Sequence, residues 1–485
     1  MNWRTISRNV GYALLVSALF MFLSVLVSII NGNDSALAAL SISFLITAIS
    51  GAFPFIFVRK TAEISLKEGY VIIVLSWVLS FIFGMLPYAL WGGPFTIQNA
   101  WFESVSGFTT TGATILENIE ALPDSLLFWR SATHFIGGLG VVVFLLLIIP
   151  TASPIRMRLT NMELSSISKG NYSTRSNKTV YIFAYVYLGL CLSAFVLYLI
   201  AGMPAFDAIC HAMSVCAAGG FSTRNLSIAS FGSRWIELIT MVYMVLASVH
   251  FGLLYLSVVN RSLKPLNNPV LKAYLLSLLV FSLLVSFNLR VSGVESSIGS
   301  ALWHGCFQTI SVASTTGFAL ADNATWPLLP NFLLMFAAVM CGCAGSTTGG
   351  VKVDRVLVLF KTIGLQIGRV LHPSSINEVK LGKRVLRPLE VMPQLIYIAL
   401  FFVILAISTL ISLAMGVNTH SSFCASLSSL SNVGPAIEEL GMMGNFNGLP
   451  IAAKFLYTFD MFLGRVEIYP VIAVMAMFFD GGKRR

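Results

Sequence analysis

The sequence predicts an all-α, polytopic membrane protein in which two N-terminal transmembrane helices precede four pseudo-repeats, each an outer helix, a re-entrant pore helix, a glycine-bearing loop and an inner helix. Three observations predict it. First, 56% of the 485 residues are apolar and 10% are charged, against about a quarter charged in soluble domains. Second, ten apolar stretches approach or exceed the roughly 20 residues that cross a bilayer: 10–31, 36–58, 69–91, 126–150, 179–202, 235–259, 269–291, 331–362, 392–416 and 450–479. Third, the segment SGFTTTGAT recurs in variant form as SVCAAGGFS, SVASTTGFA and SSLSNVGPA, aligned on Gly112, Gly220, Gly317 and Gly434. A serine stands six places before each glycine, at Ser106, Ser214, Ser311 and Ser428. One such loop would carry no weight; four in register, each between long apolar runs, mark the corners of a single pore.

The net charge of +10 is explained by its placement rather than by binding to nucleic acid. Basic residues fall on alternate connections: Arg4 and Arg8; Arg59, Lys60 and Lys67; Arg156, Arg158, Lys169, Arg175 and Lys178; Arg261, Lys264 and Lys272; Arg369, Lys380, Lys383, Arg384 and Arg387; and Lys483, Arg484 and Arg485. The positive-inside rule puts these connections and both termini in the cytoplasm. The opposite face carries Glu117, Glu120, Asp124, Asp322, Glu438 and Glu439, diluted by Arg224 and Arg234, an acidic excess that concentrates cations at an outer mouth. The first apolar run is expected to stay as a helix, because its core of about 22 residues exceeds the 7 to 15 of a signal peptide. The seven cysteines lie mostly within predicted membrane segments and give no disulfide framework.

Taken in order, residues 1–68 form a two-helix extension without a filter-like loop, and 69–168, 169–265, 266–388 and 389–485 form the four pore repeats. In repeat one an outer helix over 69–91 leads to a short apolar segment over 99–108, too short to span and therefore re-entrant. The inner helix starts near Leu126, with Trp129 and Arg130 expected at the outer interface and Gly137, Gly138 and Gly140 allowing close helix packing. In repeat two, Asp207 opens the re-entrant helix, and His211 and His250 are read as hydrogen-bonded structural histidines. Repeat four carries the most divergent corner, where Pro435 removes a donor and fixes φ, so the pore should be visibly asymmetric.

Backbone at membrane depth must be buried in protein or line water, and carbonyls from four such strands can replace an ion's hydration shell. Glycine permits the angles that aim carbonyls inward, and each short helix points its negative C-terminal end at the axis. The candidate ion-coordinating residues are therefore Thr110, Thr111, Gly112 and Ala113; Ala218, Gly219, Gly220 and Phe221; Thr315, Thr316, Gly317 and Phe318; and Asn432, Val433, Gly434 and Pro435.

Two further features suggest a gate. The third inner helix has about 13 apolar residues before CAGSTTGG, or roughly 20 Å of helix, short of a core of about 30 Å. The loop Gly345, Ser346, Thr347, Thr348, Gly349 and Gly350 therefore lies within the membrane, pliable through its glycines, with Lys352 heading the helix beyond it. It is not a nucleotide-binding loop, since Val351 follows Gly350 and no Ser or Thr follows Lys352. Cys341 and Cys343 lack a second pair of ligands for a metal. Arg465 stands in an apolar run at a cost of about 2.5–3.5 kcal/mol, so it faces the protein interior or water, either paired with Asp460 or Glu467 or placed on the conduction path. A gated pore is the leading reading, and a coupled symporter using Asp460, Glu467 or Glu103 is the alternative. The six scattered histidines form no catalytic motif.

With its four units and the motifs FWRSATHFIGGLG at 128–140, GCAGSTTGGVK at 342–352 and GRVEIYP at 464–470, the whole chain resembles the superfamily of bacterial Trk and Ktr and plant and fungal potassium transporters. Its two extra N-terminal helices place the resemblance with the TrkH type. The resemblance implies a potassium-channel-like fold, potassium uptake across the bacterial inner membrane with potassium as substrate and no cofactor in this chain, a homodimer in membrane lipid, and control by a cytoplasmic nucleotide-binding subunit of the TrkA kind. It also implies a pore position for Arg465, through the pattern GRxExxP. The sequence departs from the superfamily at LASVHFGLLY, 246–255, where Gly252 is the only glycine in a stretch that is commonly glycine-rich, which changes helix packing there.

Overall fold

The computed structural model describes residues 1–58, 64–148, 176–372, 378–382, 384–436, 440–441 and 443–480. Arg59, Lys60, Arg156, Arg158, Lys169, Arg175, Lys383, Glu438, Glu439, Lys483, Arg484 and Arg485 lie outside the described residues, as do the side chains of Lys178 and Arg384 and the expected boundary between repeats one and two. The regular structure of the described residues is helical apart from a short hairpin pairing Lys380–Leu381 with Arg384–Val385. Six described helices are long and apolar enough to cross a membrane, and a seventh span forms if a bent pair is joined. This is a multi-pass membrane protein.

The N-terminal helices Trp3–Ile30 and Leu37–Phe57 pack closely because each offers a glycine at the crossing. A Cβ on Gly11 would meet the carbonyl of Gly51, and one on Gly51 would press on Leu14 and Leu15. The pair is tied to repeat one through Asp34, whose carboxylate accepts the hydroxyls of Ser28 at 2.6 Å and Ser125 at 2.9 Å.

The four re-entrant helices are Ile97–Phe108, Ala205–Ala217, Ile298–Ala313 and Thr419–Ser431. The third, at 16 residues, is slightly longer than its apolar run suggests, because Ser297 caps it by accepting the Ser300 N–H at 3.0 Å. All four are buried toward their C-terminal ends.

Every inner helix is broken, although the sequence marks a break only in repeat three. In repeat one Gly140 takes φ 72° inside the helix Asp124–Ile148. In repeat two the expected span over 235–259 is two helices, Arg234–Ser248 and Phe251–Val259, bent by 103°. His250 makes that bend by leaving the helical region and accepting the Gly252 N–H on Nδ1 at 3.0 Å. In repeat three Leu328–Val339 and Val353–Leu371 flank the membrane loop, and in repeat four Ile451–Arg465 gives way to Ile468–Asp480 at Glu467, φ 60°.

Trp129 and Arg130 do not face the outer interface as expected. Both are fully buried, Trp129 donating its indole N–H to the Gly84 carbonyl at 3.2 Å and Arg130 pairing with Glu103. An arginine at the end of an apolar run looks like an interfacial anchor until its carboxylate, 27 residues away on the pore helix, is placed beside it.

Candidate functional site

Each re-entrant helix ends in a Schellman motif, the double hydrogen bond that lets a chain leave a helix through a left-handed residue. In repeat one Thr110 donates to the Gly107 carbonyl at 3.0 Å and Thr111 to that of Ser106 at 2.9 Å. The same bonds join Gly219 to Ser214, Thr316 to Ser311 and Val433 to Ser428 at 2.9–3.0 Å. The recurrent serine thus supplies the carbonyl that closes each motif.

Beyond the motif the four strands share one backbone. The residue two before the glycine is left-handed in all four: Thr110 (φ 52°), Ala218 (56°), Thr315 (54°) and Asn432 (57°). So is the glycine, at 80°, 76°, 77° and 93° for Gly112, Gly220, Gly317 and Gly434, whereas the residue between them is not. A backbone that alternates in hand gathers its N–H groups on one side and so turns its carbonyls to the other. Here the N–H groups of the two residues before each glycine bond back to the pore helix.

The four strands close into a ring. A Cβ built on Gly112 would collide with the carbonyl oxygen of Gly219, on Gly220 with that of Thr316, on Gly317 with that of Val433, and on Gly434 with that of Thr111. Each glycine therefore lies against the carbonyl that precedes the next corner's glycine. Corner four is further locked to corner one by Asn432, whose side-chain amide donates to Thr111 Oγ1 at 3.1 Å and to the Met461 carbonyl at 2.8 Å. The asparagine is legible in SNVG as a left-handed residue, but its amide contacts are not.

The carbonyls of Ala113 and Phe318 accept the hydroxyls of Ser106 and Ser311 at 2.6 and 2.7 Å, so in corners one and three the recurrent serine also ties the end of the strand back to its pore helix. Phe221 is held between other partners, its ring stacked on His134 at 4.1 Å with the Arg130 guanidinium 4.0 Å from its centroid.

All four glycines line a vestibule at one end of the ring, with Glu117, Arg130 and Arg224 in its wall. Arg224 is paired with Asp207 at 3.0 Å. At the other end lies the loop 345–350. Gly349 donates its N–H to Thr315 Oγ1 at 3.1 Å, and a Cβ on it would collide with Ser431 and Asn432. Thr347 donates its hydroxyl to the carbonyls of Cys216 at 3.0 Å and Ala247 at 3.2 Å, and the Gly345 carbonyl accepts the Phe251 N–H. Ser346 and Thr348 bond each other at 2.7 Å. A Cβ on Gly350 (φ 66°) would strike Cys341.

Arg465, in the last turn of its helix, donates to the Thr347 carbonyl at 2.7 Å and to the carbonyls of Gly137 and Gly138 at 2.6 and 3.1 Å. It joins the loop to the broken inner helix of repeat one, so the loop contacts repeats two, three and four directly and repeat one through Arg465. The two carboxylates weighed as its partners are engaged elsewhere: Asp460 by Ser408, and Glu467 by Lys352 at 3.5 Å and Arg355 at 2.8 Å. Lys352 (φ 68°) and Glu467 (φ 60°) sit at the breaks of two inner helices, so this buried pair ties one break to the other. Asp354 accepts the Ala344 N–H at 2.5 Å and fixes the loop's other margin. Of the candidate proton carriers, Glu103 and Glu467 are thus ion-paired.

Comparison with known proteins agrees with this geometry. A family model described as TrkH, cation transport protein, matches residues 37–483. The chain is 32% identical over 480 residues to the Trk system potassium uptake protein TrkH of Salmonella typhimurium, covering 98% of each chain. It is 33% identical over 484 residues to the protein of the same name from Halomonas elongata, again covering 98% of each. The crystal structure of the potassium transporter TrkH from Vibrio parahaemolyticus superposes with a TM-score of 0.87 at 30% identity, covering 97% of this chain and 98% of that one.

Proposed function

Because the chain belongs to the TrkH family of cation transport proteins, we propose that it takes up potassium across the bacterial inner membrane through a gated, pseudo-fourfold pore. It is a membrane-embedded transporter, not an enzyme. The observation that carries the reading is the closed ring in which four left-handed glycines each abut the next corner's carbonyl. Such a ring offers an ion oxygen ligands from every side without charged side chains. The four pore repeats divide the chain at residues 69, 169, 266 and 389, with residues 1–68 as an extension.

The loop 345–350 is the gate, held shut beneath the ring by Arg465 and by Thr347. Moving it aside breaks few bonds, since its anchors are single hydrogen bonds worth about 0.5–1.5 kcal/mol each, or about 1.5–3 kcal/mol where Arg465 donates. Lys352, Asp354 and Arg355 open the helix that continues from the loop, so a subunit that binds nucleotide in the cytoplasm can shift the population of open loops by pulling on that helix. The chain works as a homodimer with both termini cytoplasmic. A channel fits better than a symporter because two of the three candidate proton carriers are fixed in ion pairs. Single-channel recording of the purified protein tests this: bursts of current far above transporter turnover are expected, and their absence under conditions that support potassium flux would overturn the channel reading.

A further inference from the structure

The four filter strands share one backbone, yet the groups that hold them from behind differ in a graded way. Nine residues before each filter glycine the pore helix carries Glu103, His211, Gln308 and Ala425. The side chain at this position reaches the strand leaving the filter. Glu103 accepts Thr114 Oγ1 at 2.9 Å and the Ile115 N–H at 3.2 Å. His211 Nε2 lies 2.9 Å from Ser222 Oγ, and Ser222 stands in its corner where Thr114 stands in the first. Gln308 donates to the Ala321 carbonyl at 2.5 Å. Ala425 has no polar group to offer. At this pore-helix position the bracing thus runs from charged, through polar, to none, and the fourth exit strand is held instead by Asn323, whose amide donates to the Ala436 carbonyl at 3.3 Å.

At the charged end the brace extends to a second corner. Glu103 and Arg130 are 0% and 1% exposed and 2.8 Å apart. The same guanidinium donates to the Ser222 carbonyl, two residues past Gly220, at 3.2 Å, and to Thr114 Oγ1 at 3.3 Å. It also covers Phe221, whose opposite face is closed by His134. Exits from the first and second filter strands are therefore fastened to one buried ion pair.

We infer that Glu103 and Arg130 are positioning residues for ion selectivity, a brace that fixes the spacing of filter corners one and two. This rests on the potassium-pore reading. A lone buried charge is costly, and a buried pair that is fully hydrogen-bonded serves specificity better than stability. Carbonyls discriminate between potassium and sodium only while their positions or field resist collapse around the smaller ion. Loosening the exit strands removes that resistance without removing a ligand.

The test is the reversal potential under opposed potassium and sodium for the wild type, Glu103→Gln and Arg130→Lys in lipid bilayers, with melting temperature measured on the same preparations. Arg130→Lys keeps the charge and so the fold, but loses the fork that reaches Ser222 and Thr114, and it carries the test if Glu103→Gln does not fold. Each variant is expected to lower the potassium to sodium ratio roughly tenfold, the effect of one lost charge-assisted hydrogen bond. Gln308→Ala, at the weaker third brace, should lower it less. A selective wild type with equally selective, folded variants overturns the brace alone. A wild-type ratio near one overturns the potassium-pore reading, and the brace with it.

Discussion

Replacing Gly112 by serine strains the filter in two ways. At φ 80° an L-residue pays about 1–2 kcal/mol for the left-handed region. Its Cβ must also occupy space already held by the carbonyl oxygen of Gly219, and neither atom belongs to a flexible side chain. The strain is relieved only if strand one or strand two shifts, which spreads a pair of carbonyls. If 1–2 kcal/mol is transferred to the selective state, the potassium to sodium permeability ratio falls by a factor of about 5–30. Reversal potentials under mixed ions read this directly. Gly189→Ala is the matched control, because a Cβ at Gly189 meets nothing within 4 Å, and it should leave the ratio unchanged. A folded Gly112→Ser protein with an unaltered ratio would refute the reasoning that the glycine's contact and hand set the filter.

Arg465→Ala removes three hydrogen bonds to backbone carbonyls of the loop and of repeat one, so basal potassium flux should rise several-fold while melting temperature changes little; a collapsed melting temperature with normal conduction in the surviving protein would make the arginine purely structural. Deleting residues 345–349 should raise basal flux and weaken control by the regulatory subunit while selectivity stays near wild type, measured as flux with and without that subunit. Glu467→Gln leaves Lys352 and Arg355 buried without their shared carboxylate, and should destabilise the protein by about 3–5 kcal/mol in a thermal or denaturant melt.

Much of this architecture is legible in the residues because glycine at a left-handed position and serine at a helix end are local requirements, written within a few places of each other. The register of Ser106 with Gly112, repeated three more times, needs no tertiary information. The short third inner helix is likewise visible, since the length of an apolar run sets the length of a helix. What stays hidden is set by distant partners. Arg130 reads as an interfacial anchor because Glu103 lies on another helix, and the bend at His250 has no proline or glycine pair to announce it. The bonds from the Ser106 and Ser311 hydroxyls to the carbonyls of Ala113 and Phe318 are likewise not written in the sequence. The series Glu103, His211, Gln308 and Ala425 was available by aligning on the glycine, for polar residues on a buried helix are themselves a signal; its meaning required the strands they hold.

Ion flux into liposomes containing only the purified protein, with potassium, rubidium and sodium compared, tests the central claim most directly. The account predicts that potassium and rubidium enter readily and sodium enters far more slowly. Equal entry of sodium, or no entry of potassium into vesicles that hold the folded protein, would contradict it.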